Sequence, residues 1–105
     1  SKNAKFVLEK LDMISLFDII VDGNDIKMGK PDPEIFLIAS KKLVTEPKNC
    51  LVFEDAQSGI DAANKAGMTV VGIGNKNKLK NLKYCFPDFL KIPDHLINYF
   101  FNEER

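Results

Sequence analysis

With 105 residues, 45% of them hydrophobic, the chain holds at most one small domain around a single core. Its 15 Lys and Arg cancel its 15 Asp and Glu, so no global charge argues for nucleic acid or an anionic membrane as partner. Cys50 and Cys85 follow no CxxC or metal-ligand spacing and read as reduced thiols of a cytoplasmic chain, with Cys50 in the core. No apolar stretch approaches the roughly 20 residues that cross a bilayer. No signal peptide is read, and the start at Ser1 without Met suggests a piece of something longer.

From the N-terminus, Phe6, Val7, Leu8, Leu11 and Met13-Ile14 recur at spacings close to helical, with Ser1 or Asn3 as cap. The functional alternative for Ser1-Lys2-Asn3 is an anion seat at that helix's N-terminus. Phe17 to Val21 reads as a short strand, ended by the turn-forming Asp22-Gly23-Asn24-Asp25. In Met28-Gly29-Lys30-Pro31-Asp32-Pro33-Glu34, the two prolines are expected to hold an extended segment and then open a helix over 33–43, with Asp32 as its cap. Lys30 on this stiff piece is either an ordinary surface lysine or a point charge for phosphate.

Leu51-Val52-Phe53 is an apolar run of strand length that delivers Glu54 and Asp55 side by side. The small and polar residues Ala56 to Gly59 follow, then an alanine-rich helix that stops at Gly67. Such a run suggests a parallel strand covered on both faces, and ligands of such sheets sit beyond the strands' carboxyl ends. The two acids either cap the next helix and complement its dipole or converge on a hard cation such as Mg²⁺. Convergence requires the backbone to turn at the strand end, because neighbouring strand residues point to opposite faces.

Thr69 to Gly74 reads as another buried strand, whose Gly-x-Gly is too little for a dinucleotide fingerprint. Asn75 to Lys83 is a locally basic, solvated stretch without interleaved aromatics. Tyr84-Cys85-Phe86 reads as a short edge strand, and Ile92 to Phe101 as a closing helix. His95 has no partner in the pattern and receives no role. The alternation of helices and strands implies an α/β fold with parallel strands and right-handed crossovers.

Gly29-Lys30-Pro31-Asp32-Pro33, followed by Phe53-Glu54-Asp55 and Gly59-Ile60-x-Ala62-Ala63-x-x-Ala66-Gly67-Met68, resembles the haloacid dehalogenase-like superfamily, in its β-phosphoglucomutase-type branch. The resemblance runs from Ser1 to about Gly74. It implies a Rossmann-like three-layer parallel sheet, here the C-terminal part of a core domain over residues 1–105. It also implies Mg²⁺ held by Glu54 and Asp55, Lys30 steadying the transferring phosphoryl group, and Ser1, Lys2 and Asn3 holding a substrate phosphate. Phosphoryl transfer needs charge neutralisation and in-line positioning more than elaborate covalent machinery, which suits these residue types. The family's nucleophile motif, Asp-x-Asp-x-Thr/Val, does not occur in the 105 residues, and neither does the helical cap. The chain alone is therefore expected to be inactive. Without the nucleophile strand, the strand ending at Glu54 is expected to need the N-terminal remainder of a longer protein, or another chain, to complete the sheet.

Three functional readings follow from the resemblance. The first is part of a sugar-phosphate mutase converting β-glucose 1-phosphate to glucose 6-phosphate through an aspartyl-phosphate. The second is a phosphatase of small phosphomonoesters, and the third a non-catalytic α/β binding module.

Overall fold

The computed structural model of the chain describes residues 5–10, 13–18 and 27–101, with side-chain environments from 27 to 100. Its elements, in order, are β1 (Lys5–Lys10), β2 (Met13–Asp18), α1 (Glu34–Lys42), β3 (Cys50–Glu54), α2 (Gln57–Lys65), β4 (Thr69–Ile73), β5 (Tyr84–Phe86) and α3 (Asp94–Phe101). They form a five-stranded sheet in the order β2-β1-β3-β4-β5. The β3, β4 and β5 strands run parallel, with Glu54 beside Gly72 and Ile73 beside Phe86. None of the described helices is long and apolar enough to cross a membrane.

Packing follows from the two-residue period of the strands. All of β3 is buried. Cys50 and Val52 join α1 and α2 in one core through Ile35, Phe36, Ala39, Ile60, Ala62 and Ala63. Leu51 and Phe53 join Val71, Ile92 and the α3 residue Phe100 in a second core on the other face. Helices thus cover both sides of the parallel strands, giving the three layers expected of a continuous apolar strand. Among the residues of β3, Glu54 carries the only charge.

From Lys27 onward the elements lie within a residue or two of the sequence reading. Upstream the structure differs. The helix read over Phe6 to Ile14 is instead the antiparallel hairpin β1–β2, with Phe6 opposite Phe17. The strand expected from Phe17 begins earlier, at Met13, and its expected continuation through Val21 and the turn at Asp22 to Asp25 lies outside the described residues. The free edge foreseen on β3 is occupied by β1, which pairs antiparallel from Lys5 beside Phe53 to Leu8 beside Cys50. The sheet is therefore mixed rather than wholly parallel. The physical reason is tertiary: an edge of unpaired N–H and C=O groups on the most buried strand outweighs a weak local helical pattern.

Two helices end in the same motif with different residues. After α2, Gly67 adopts φ 82°, its N–H donating to Asn64 O and that of Met68 to Ala63 O. After α1, Val44 takes the equivalent place at φ 52°, its N–H donating to Lys41 O and that of Thr45 to Ser40 O. Both are Schellman closures, which favour glycine at the left-handed position. Val44 is 91% exposed, so nothing in its surroundings compensates a β-branched side chain there. Val44→Gly is expected to raise stability by up to about 1 kcal/mol in urea unfolding, the relief of the left-handed conformation exceeding glycine's entropic cost.

Cys50, as read from the sequence, is a core residue, and burial pushes its thiol up to about 11. It stays a neutral thiol until pH approaches that value, so it is no nucleophile near neutrality. Cys85 is half-buried, its Sγ 3.7 Å from Gly74 O. Iodoacetamide at pH 8 is expected to modify Cys85 at least about tenfold faster than Cys50 in the folded chain, and both at similar rates in urea.

Candidate functional site

The site is built where β3 gives out. Strand alternation sends Glu54 to the face that Cys50 and Val52 share with α1 and α2. There it is only 4% exposed, a position where an unpaired carboxylate would be costly. Its partner is Lys30, whose Nζ donates to Glu54 Oε2 at 3.0 Å, with the Lys30 side chain 12% exposed. The Lys30 ammonium also lies 5.3 Å from the ring centroid of Phe36, a fully buried residue of α1.

Space for Glu54 comes from Gly59 in the first turns of α2. A Cβ built at Gly59 would lie 2.1 Å from Glu54 Cδ, closer than any real contact. A helix that carried a side chain here would displace the carboxylate, so the glycine is a packing requirement of the ion pair. α2 starts after Ala56 with no side-chain cap. The helix-cap reading of the acidic pair therefore does not describe this structure: among the described residues Glu54 Oε1 reaches only the N–H of Ala56, at 3.4 Å.

Lys30 reaches Glu54 from a tightly closed loop rather than the extended segment read from the two prolines. The N–H of Asp32 donates to Gly29 O at 3.0 Å, closing a turn around the cis Lys30–Pro31 bond. Asp32 Oδ2 accepts from the N–H of Glu34 at 3.0 Å, the bond expected of it as a cap, although Pro33 occupies the cap position itself. Glu34 in turn reaches backwards: its Oε1 accepts from the backbone N–H groups of Lys27 and Met28, the latter at 2.7 Å. Gly59 makes room for Glu54 and Phe36 lies beneath the Lys30 ammonium, yet the sequence reading gave neither of them, nor Glu34, a role at the site. Phe36 carries no signal apart from ordinary helix patterning, and Gly59 was read only as part of the small-residue turn and of the family motif. Glu34 stands in the first turn of a helix, where an acid is usually explained by the dipole alone.

Of the residues singled out in the sequence, the structure brings Lys30 and Glu54 together. Asp55 follows directly but is exposed, and among the described residues its carboxylate makes no hydrogen bond or ion pair. Ser1, Lys2 and Asn3 lie outside the described residues, and the segment from Lys5 is a strand rather than the helix whose N-terminus they were expected to occupy. The donor set at β3's end fits a hard divalent cation. Asp55 offers unengaged carboxylate oxygens and Glu54 keeps Oε1 beyond its bond to Lys30. No group of three or more metal-ligating side chains gathers among the described residues. Two carboxylates with the remaining positions left to water and phosphate is the usual habit of Mg²⁺.

Residues 1–73 match the haloacid dehalogenase-like hydrolase family. The chain belongs to this family. Relatives of this haloacid dehalogenase-like chain include a β-phosphoglucomutase of Bacillus subtilis, 46% identical over 74 residues that cover 70% of this chain and 33% of the relative. A phosphorylated carbohydrates phosphatase of Thermotoga maritima is 46% identical over 61 residues, 58% of this chain and 28% of that protein. A fructose-1-phosphate phosphatase of Escherichia coli is 39% identical over 70 residues, 67% and 37% of the two chains. The crystal structure of β-phosphoglucomutase from Clostridium difficile superposes with a TM-score of 0.72 at 41% identity, covering 84% of this chain and 40% of that one. The haloacid dehalogenase-like chain thus spans between about a quarter and two fifths of the length of these relatives, and its α/β fold is that of part of their domain.

The crowding at Gly59 carries an expectation for this site. Gly59→Ala should cost about 1–2 kcal/mol net of the helix propensity it gains. Gly29→Ala, where an added Cβ meets nothing within 4 Å, should stay within about 0.5 kcal/mol of the parent. Urea unfolding of the two variants measures the difference.

Proposed function

We propose that this chain is the part of a Mg²⁺-dependent phosphoryl-transfer enzyme that carries the metal acids and the phosphate-facing lysine, in a sugar-phosphate mutase of the β-phosphoglucomutase kind. The observation that carries the reading is the Lys30 Nζ to Glu54 Oε2 contact of 3.0 Å at the carboxyl end of a buried parallel strand, with the unengaged Asp55 next in line. Such a strand end is where ligands of α/β sheets are received. The relatives named for phosphorylated sugars and carbohydrates support the substrate class.

In this reading Asp55 and Glu54 would hold the cation. The cation, when bound, supplies Lewis-acid stabilisation of phosphate charge. Lys30 sets a compact ammonium against the remaining negative charge of the transferring group. Glu54 keeps that ammonium in place while the substrate site is empty, and Ser1, Lys2 and Asn3 take a non-transferring phosphate. The nucleophilic aspartate comes from outside these 105 residues, in the remainder of a longer protein, so the isolated chain is expected to turn over no substrate.

A second reading is a phosphatase of small phosphomonoesters, favoured by the two phosphatases among the relatives at comparable identity. Both readings need the same acids and lysine, and differ in whether water or a sugar hydroxyl receives the phosphoryl group. Assay of the full-length protein separates them. With Mg²⁺ and β-glucose 1-phosphate, a mutase forms glucose 6-phosphate without net phosphate release, whereas a phosphatase releases phosphate from generic monoesters. EDTA is expected to abolish either activity and Mg²⁺ to restore it. Asp55→Asn should lower turnover by about 100-fold or more, and unchanged turnover would remove the metal assignment.

A further inference from the structure

We infer that Glu34 is a positioning residue for Lys30, acting through the backbone that leads into it. The inference rests on the reading of Lys30 as the phosphate-facing cation. A lysine has four rotatable side-chain bonds and serves as a point charge only if its Cα is held. After Lys30, the chain is held by Pro31, by the turn bond from Asp32 N–H to Gly29 O, and by α1. Over Lys27 to Gly29, the described residues just before Lys30, the chain has no proline and no regular element, and among the described residues the side-chain restraint on it is a single carboxylate: Glu34 Oε1 accepts from the N–H groups of both Lys27 and Met28.

A single oxygen taking two consecutive backbone donors fixes the direction of that peptide, and hence the approach to Gly29 and Lys30. Because Glu34 opens α1, and α1 also presents Phe36 beneath the ammonium, one rigid helix sets both the start of the loop and the surface over which its charge lies. The bonds from Lys27 and Met28 lie at exposed positions, so water can replace the carboxylate and global stability should change little. The placement of Lys30 should change more, which separates positioning from a general structural role.

The test compares Glu34→Ala with Glu34→Gln, which keeps an acceptor oxygen. In the full-length protein, acetic anhydride labelling followed by mass spectrometry reads Lys30 against the exposed Lys27 as internal control. Glu34→Ala is expected to speed Lys30 labelling by about fivefold or more with Lys27 unchanged and the melting temperature within a few degrees of the parent, and Glu34→Gln to return Lys30 to near the parent rate. In the full-length protein, Glu34→Ala should lower kcat about tenfold with KM within about twofold, Glu34→Gln restoring most of it. Lys30 labelling that ignores Glu34→Ala overturns the inference. So does a general rise in labelling of all lysines with a large fall in melting temperature. A full-length protein without phosphoryl-transfer activity, whose Lys30 labelling still responds as stated, defeats the proposed function and leaves the positioning role supported.

Discussion

A charged side chain at the end of a strand buried on both faces must be neutralised where it stands, and the Lys30–Glu54 pair is how this chain does it. Removing one partner of a buried pair costs about 3–5 kcal/mol, because the other charge is left without solvent or counter-ion. The requirement propagates outward. Glu54 needs a helix without a side chain at its third position, which Gly59 provides. Lys30 needs a loop that cannot drift, which the prolines, the Asp32 turn and Glu34 provide.

The layering explains why this end of the sheet, and this face of β3, carries the buried ion pair. Helices α1 and α2 cover the face that Glu54 shares, while α3 closes the other through Phe100 against Tyr84, and Phe89 packs on Phe53 with ring centroids 5.1 Å apart. The pair is thus walled on the α1 and α2 side, and Asp55, one residue on, emerges into solvent. A buried pair beside an exposed acid sets an anchored cation, held by Glu54, next to the open carboxylate of the following residue.

The family relation and the geometry bear on different stretches. The match covers residues 1–73, whereas β5 and α3 lie beyond it and complete the second core without touching the ion pair. At the other end, β1 lies along β3, the strand that carries the site. Its antiparallel pairing shows how strongly an open edge on a wholly buried strand draws whatever backbone is at hand.

By itself the sequence determined the elements from Lys27 to Phe101, because each carries a local cause. Apolar runs of strand length mark β3 and β4, Pro33 and Gly67 bound the helices, and the Gly-Lys-Pro-Asp-Pro and Glu-Asp spacings mark the family and the candidate site. What the tertiary structure decided is relational. The pattern of Phe6 to Ile14 suits a helix or a hairpin, and the edge of β3 chose the hairpin. Glu54 and Asp55 are identical in promise as neighbours in a string, but strand alternation buries one against Lys30 and leaves the other in water. Glu34, Phe36 and Gly59 acquire their roles only through partners distant in the chain or reached backwards across a turn, and no local pattern records such distances.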